Sequence, residues 1–148
     1  MAVTSTPIFA QTPYVKSLTL AAQTACTTRA PTATASTAAA NIIAFVPTST
    51  NGLRIDSIQV NACGTGQTTV NAANVVGIWA DDATNAYLIL EIPVTAVTPS
   101  ATSAAFTTTY IFPIPLVLPS TFVLKASVGT TTTAAGTALQ VTAFGGAY

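Results

Sequence analysis

Leu53-Arg54-Ile55-Asp56-Ser57-Ile58-Gln59-Val60 begins as a strand with one buried face and then loses step. Leu53 and Ile55 hold odd positions, whereas Ile58 and Val60 hold even ones. Side chains on a strand alternate with a period of two, so a regular strand cannot keep both pairs on one face. A β-bulge near Asp56–Ser57 is the simplest explanation, and burial on both faces is the other. Either way the segment is a strand. Before it, Thr48-Ser49-Thr50-Asn51-Gly52 reads as a turn, because Asn-Gly accepts positive φ. Before the turn, Ile42-Ile43-Ala44-Phe45-Val46 is a short apolar run stopped by Pro47, consistent with a buried strand.

The same rhythm extends in both directions. After a loop from Ala62 to Asn74, Val75–Ala80 is a strand, Asp81–Asn85 a hairpin connection and Tyr87–Val94 the returning strand. Leu88, Leu90, Ile92 and Val94 are expected on one face of it, with Tyr87, Ile89 and Glu91 on the other. Pro93 marks a strand end or an edge. Beyond the loop Thr95–Ala105, Phe106–Phe112 sets Phe106, Tyr110 and Phe112 on one face. Leu116-Val117-Leu118 meets a tight turn at Pro119-Ser120-Thr121. Phe122–Val128 alternates cleanly, with Lys125 and Ser127 pointing out. Gly129–Gly136 is a Thr-rich loop, and Leu139–Ala143 is the last strand. Upstream, Tyr14–Leu20 is the first strand. Residues 1–13, with Pro7 and Pro13, read as an extended arm. Ala21–Ala40 is an Ala/Thr run whose threonines and Pro31 oppose helix, leaving a long loop or an irregular strand. About eight short strands and no helix predict an all-β chain. The expected fold is a single antiparallel β-sandwich over residues 14–148, jelly-roll-like, behind the arm.

Charge is scarce. The 148 residues hold four Lys or Arg, four Asp or Glu and no His. Thr and Ala each supply roughly a fifth of the chain, far above average usage. The formal net charge is zero, and low net charge favours association, so the chain is expected to live in an assembly. The arm and the loops at 62–74, 95–105 and 129–136 carry no charge. A solitary soluble protein would normally keep charge in such peripheral parts.

This composition excludes much chemistry. Without His, the serines and threonines lack the usual base, and Lys16 and Lys125 fall in exposed strand phases. Asp81 and Asp82 sit in a hairpin, where aspartates bond their own backbone. Asp56 and Glu91 lie on separate strands, and Arg54 is the nearer partner for Asp56. Asp81, Asp82 and Asn85 offer oxygens to calcium but not the spacing of an EF-hand loop. Cys26 and Cys63 fit no zinc pattern and no disulfide framework, and read as small buried hydrophobes or half-buried thiols. Scattered basic residues make no stripe for nucleic acid. Gly64-Thr65-Gly66 lacks the helix and lysine of a phosphate cradle. The start has neither the basic nor the apolar region of a secretory signal. The most apolar run, Tyr110–Pro119, is too short for a membrane helix and is cut by prolines. No catalytic residue, metal or cofactor is therefore expected, and neither nucleic acid nor membrane as partner. Trp79, Tyr87 and Tyr110 are the candidates for stacking on sugars, with core or interface packing as the alternative.

Three stretches carry a resemblance: Gly52–Ile58, Pro115-Leu116-Val117-Leu118-Pro119-Ser120, and Val141-Thr142-Ala143-Phe144-Gly145-Gly146-Ala147-Tyr148. From Asn51 onward the chain resembles small virion proteins of tailed bacteriophages. The resemblance implies a jelly-roll capsid decoration (cement) protein, homo-oligomeric and typically trimeric, seated on the major capsid protein lattice. It would be assembled in the host cytoplasm and located on the capsid surface. A tail- or neck-associated sandwich, or a carbohydrate-recognising module using Trp79 and Tyr87, is the alternative. Pro7 and Phe9 in the arm, with Phe106, Tyr110 and Phe112, are the expected subunit contacts.

Overall fold

The computed structural model describes residues 12–64 and 71–148. Among these residues the strands are β1 (Thr12–Leu20), β2 (Thr32–Ala33), β3 (Ile43–Val46), β4 (Leu53–Ala62), β5 (Asn74–Asp81), β6 (Asn85–Val94), β7 (Thr107–Leu118), β8 (Val123–Val128) and β9 (Leu139–Ala147). They form two antiparallel sheets, ordered β1-β9-β4-β7 and β2-β6-β5-β8-β3. The longer strands pair as a nested set: β1 with β9, β3 with β8, β4 with β7, and β5 with β6. That is an antiparallel ribbon rolled on itself, the connectivity of a jelly roll. The sandwich expected from the sequence is the observed fold. Thr12 and Pro13 belong to β1 rather than to an arm. Residues 1–11, with Pro7 and Phe9, lie outside the described residues.

The phase slip in β4 is a bulge. Its register shifts between Ile55 and Ser57 against both β7 and β9. The extra residue returns Ile58 and Val60 to the core beside Leu53 and Ile55, and all four side chains are fully buried. The bulge crowds β9: a Cβ on Gly145 would lie 1.8 Å from the Arg54 carbonyl oxygen. On the β7 side the irregularity is wider. Ile111 pairs with Ser57 and Leu116 with Ile55, so Phe112–Pro115 bow outward opposite one residue. The prolines therefore do not split this region into two strands, as the sequence suggested. β7 is one long edge strand, because an edge or bulge position has no ladder bond for proline to break. The turn before β4 places Gly52 at φ 93°, where an added Cβ would lie 2.7 Å from the Leu118 carbonyl oxygen.

Ile55, Ile58, Val60 and Val141 from one sheet meet Val76, Ile78, Leu124 and Val128 from the other. Each such side chain contributes roughly 1.5–3 kcal/mol by leaving water.

Residues 21–42 do more than connect β1 to β3: they cover the outer face of the five-stranded sheet. The Cys26 amide donates to the Val128 carbonyl at 2.8 Å. β2 then pairs with the start of β6, joining Thr32 to Ala86 and Ala33 to Asn85. A short 3-10 turn at Thr37–Asn41 follows, capped by Ser36, whose hydroxyl accepts from the Ala39 amide. Beneath this strap, Ile42, Trp79 and Ala86 form a second apolar cluster with Cys26 and Leu88 against it. Lys125 and Ser127 do point away from the main core, but the strap side of the sheet is not solvent: Ser127 is buried.

A second bulge, in β6, corrects the face expected for Leu88, Leu90, Ile92 and Val94. The β5–β6 register shifts between Ile78 and Trp79, pairing Ile78 with Leu90 and Trp79 with Leu88. Leu90 therefore turns to the main core with Ile92 and Val94, and Leu88 turns to Trp79 under the strap.

Candidate functional site

Six of the eight charges are paired within the chain. Arg29 bonds Glu91 at 2.7 Å, and Arg54 grips Asp56 through Nε and Nη2 at 2.8 and 3.1 Å. Asp56 holds the Arg54 guanidinium above its ordinary pKa. Lys125 meets Asp81 at 2.5 Å, with the carboxylate 2% exposed. Burial opposes ionisation of Asp81. The Lys125 ammonium, the Ala83 amide and the Thr34 hydroxyl outweigh it and hold the pKa below the usual carboxylate value. Asp82 accepts from the Thr84 and Asn85 amides at 2.8 and 2.7 Å, which lowers its pKa. That is the hairpin chemistry read from the sequence. Lys16 lies over the Tyr14 ring, 5.8 Å from its centroid. Asp56 and Glu91 sit in different sheets, each held by its own arginine.

The aromatic candidates separate. Trp79 is 1% exposed and donates from Nε1 to Ser127 Oγ at 2.8 Å, so it offers no ring to a sugar. This corrects its assignment as a surface-binding aromatic: a strap from a distant part of the chain covers it. Tyr87 remains partly exposed on β6. Phe106 and Phe112 pack against the main core from its rim. Tyr110 stands edge-on to Phe112, with ring centroids 5.1 Å apart, and keeps more than a third of its surface in solvent. Cys26 and Cys63 are free and half-buried, and burial raises the pKa of the Cys63 thiol. A cleft of about 500 Å³ opens beside the strap, between Cys26–Arg29 and the strands carrying Gly77 and Ser127. The Arg29–Glu91 pair lies in its wall.

The outer face of the four-stranded sheet is the contrasting surface. The registers align Val15, Phe144, Ser57 and Ile111 in one row across all four strands. Beside it run Pro13, Gly146, Arg54 and Val117. On the other side lie Ser17, Thr142, Gln59 and Thr109. The face is thus apolar at one end and hydroxyl- and amide-bearing at the other. Its polar groups partly satisfy one another: Ser17 bonds Thr142 at 2.8 Å, Asn61 donates to Gln59 at 3.3 Å, and Thr107 donates to Asn61. Val15, Ile111 and Val117 are each more than half exposed. The self-neutralised Arg54–Asp56 pair is its charged feature, and among the described residues no segment crosses it. Sequence reasoning did not single out this face, although the phase of Gln140, Thr142 and Phe144 against buried Leu139, Val141 and Ala143 was a usable signal.

Comparison with models of protein families, with curated proteins and with solved structures gives no match.

Proposed function

We propose that this chain is a structural virion protein, a capsid decoration protein that docks on the shell lattice of a bacteriophage particle through the outer face of its four-stranded sheet. The observation that carries the reading is that, among the described residues, this face is uncovered and uncharged apart from one internal ion pair. Hydroxyls and amides pair across a protein interface at lower desolvation cost than ions. Its apolar end supplies exposed area through Val15, Ile111 and Val117, beside a shallow recess of about 230 Å³ between Pro13, Arg54 and Gly146. The resemblance of the segment from Asn51 onward to small phage virion proteins points the same way. The partner is a shell-forming protein with a similarly neutral surface, and no step of chemistry is required.

Paired substitution of Val15→Arg and Gln59→Arg tests the docking face, with co-sedimentation on intact particles as the readout. Loss of particle binding by a folded variant is expected. Undiminished binding would refute the face, and location of the native protein on the tail or neck by electron microscopy would refute the capsid assignment.

A further inference from the structure

Among the described residues the two sheets end in four edge strands, and one of them, β7, is both long and without charge. β2 is two residues long and β3 four, too short to template a neighbouring strand, and the part of β6 that β2 leaves unpaired, Tyr87–Val94, carries Glu91 and Pro93, which oppose strand addition. β1 carries Lys16, which pairs with core residue Ala143 and so emerges on the inward side of the edge. An inward-pointing lysine at an edge opposes strand addition, because pairing would strip its ammonium of water. β7 has no charge along Thr107–Leu118. Its second half is blunted by Pro113 and Pro115 in the bowed segment. Its first half, Thr107-Thr108-Thr109-Tyr110-Ile111, has neither proline nor charge and consists of β-branched and aromatic residues. Among the described residues β7 pairs with β4 alone, and its far side presents backbone donors and acceptors with no strand beside them.

We propose that a second copy of this chain occupies this edge, its own Thr107–Ile111 running antiparallel about a two-fold axis at Thr109. The arrangement places Thr109 opposite Thr109 of the second copy, Thr108 opposite Tyr110, and Thr107 opposite Ile111. Aromatic and β-branched residues facing Thr are favourable cross-strand partners. The absence of charge commits the site to this occupant: two identical edges meet with no like-charge repulsion, whereas a charged partner would find nothing to pair with. Ile111, 71% exposed, gains cover across the junction. The outcome is one continuous eight-stranded sheet through an isologous contact that joins copies in pairs. A three-fold contact would use a different surface.

Sedimentation velocity on the protein alone tests this without any particle, so its failure is separate from failure of the docking reading. The wild type is expected to dimerise at high micromolar concentration. Thr109→Lys sets two ammonium groups face to face and should weaken the dimer by roughly tenfold or more. Thr109→Cys should be captured as a cross-linked dimer by a short bis-maleimide, because directly opposed Cβ atoms lie about 4.5–5.5 Å apart, within reach of such a linker. Thr19→Cys on β1 should form none. A wild type that stays monomeric overturns the proposal. So does a dimer that Thr109→Lys leaves unchanged, or a Thr109→Cys that cross-links no faster than Thr19→Cys.

Discussion

The two outer faces of this sandwich solve one problem in opposite ways. Each sheet has a core side and a far side, and the far side of the five-stranded sheet is largely covered by the chain itself, with a cleft beside the cover. Residues 21–42 lie over it, bury Trp79 and Ala86, and enclose the Asp81–Lys125 pair. The far side of the four-stranded sheet has no such cover among the described residues. It exposes Val15, Ile111 and Val117 beside rows of hydroxyls and amides. A residue on the first face is a stability residue even when its strand phase points outward. An exposed side chain on the second face, such as Val15 or Val117, contributes little to folding and is available for contact.

Substitutions should reproduce this asymmetry. Trp79→Ala should have the largest effect, a loss of about 3–5 kcal/mol in urea unfolding, since it empties the cluster under the strap and orphans Ser127. Lys125→Met should cost about 2–3 kcal/mol at neutral pH, because it leaves the Asp81 carboxylate buried without its cation while partial exposure of Lys125 limits the loss. Acid should loosen the same face. The Asp81 pKa is lowered on folding, so its contribution is complete above the unfolded value of about 3.9 and fades as pH falls through the folded one. Stability followed by circular dichroism from pH 6 downward should fall in that window, and less so in Lys125→Met. The smallest effect belongs to the bare face: Val15→Arg and Gln59→Arg should each stay within about 0.5 kcal/mol of wild type. A cost of several kcal/mol there would mean that something covers this face within the single chain, and the contrast would collapse.

How much could be read in advance depended on polar residues marking the phase. In Leu53–Val60, Arg54, Asp56, Ser57 and Gln59 show where the alternation slips, so the bulge was legible. In Tyr87-Leu88-Ile89-Leu90 every residue is apolar, so the equivalent slip left no trace and Leu88 was assigned to the wrong side. The hairpin role of Asp82 was legible because Asx bonding is local. The Lys125–Asp81 contact was not, since it joins two strands and a strap far apart in sequence. Trp79 was misjudged for the same reason. Its cover comes from the Ala/Thr run, whose low complexity predicts neither helix nor strand and says nothing of where it lies.

The amino-acid order by itself determined the all-β character, most strand positions, the bulge in β4 and the near absence of ionic chemistry. Those properties follow from nearest-neighbour steric preference, period-two burial and composition, which act along the chain. The tertiary structure alone decided which outward-pointing side chains reach water. That depends on where the strap of residues 21–42 comes to rest, and on which sheet edges keep their backbone groups unpaired. Both are settled by contacts between segments distant in sequence, where no local pattern carries the information.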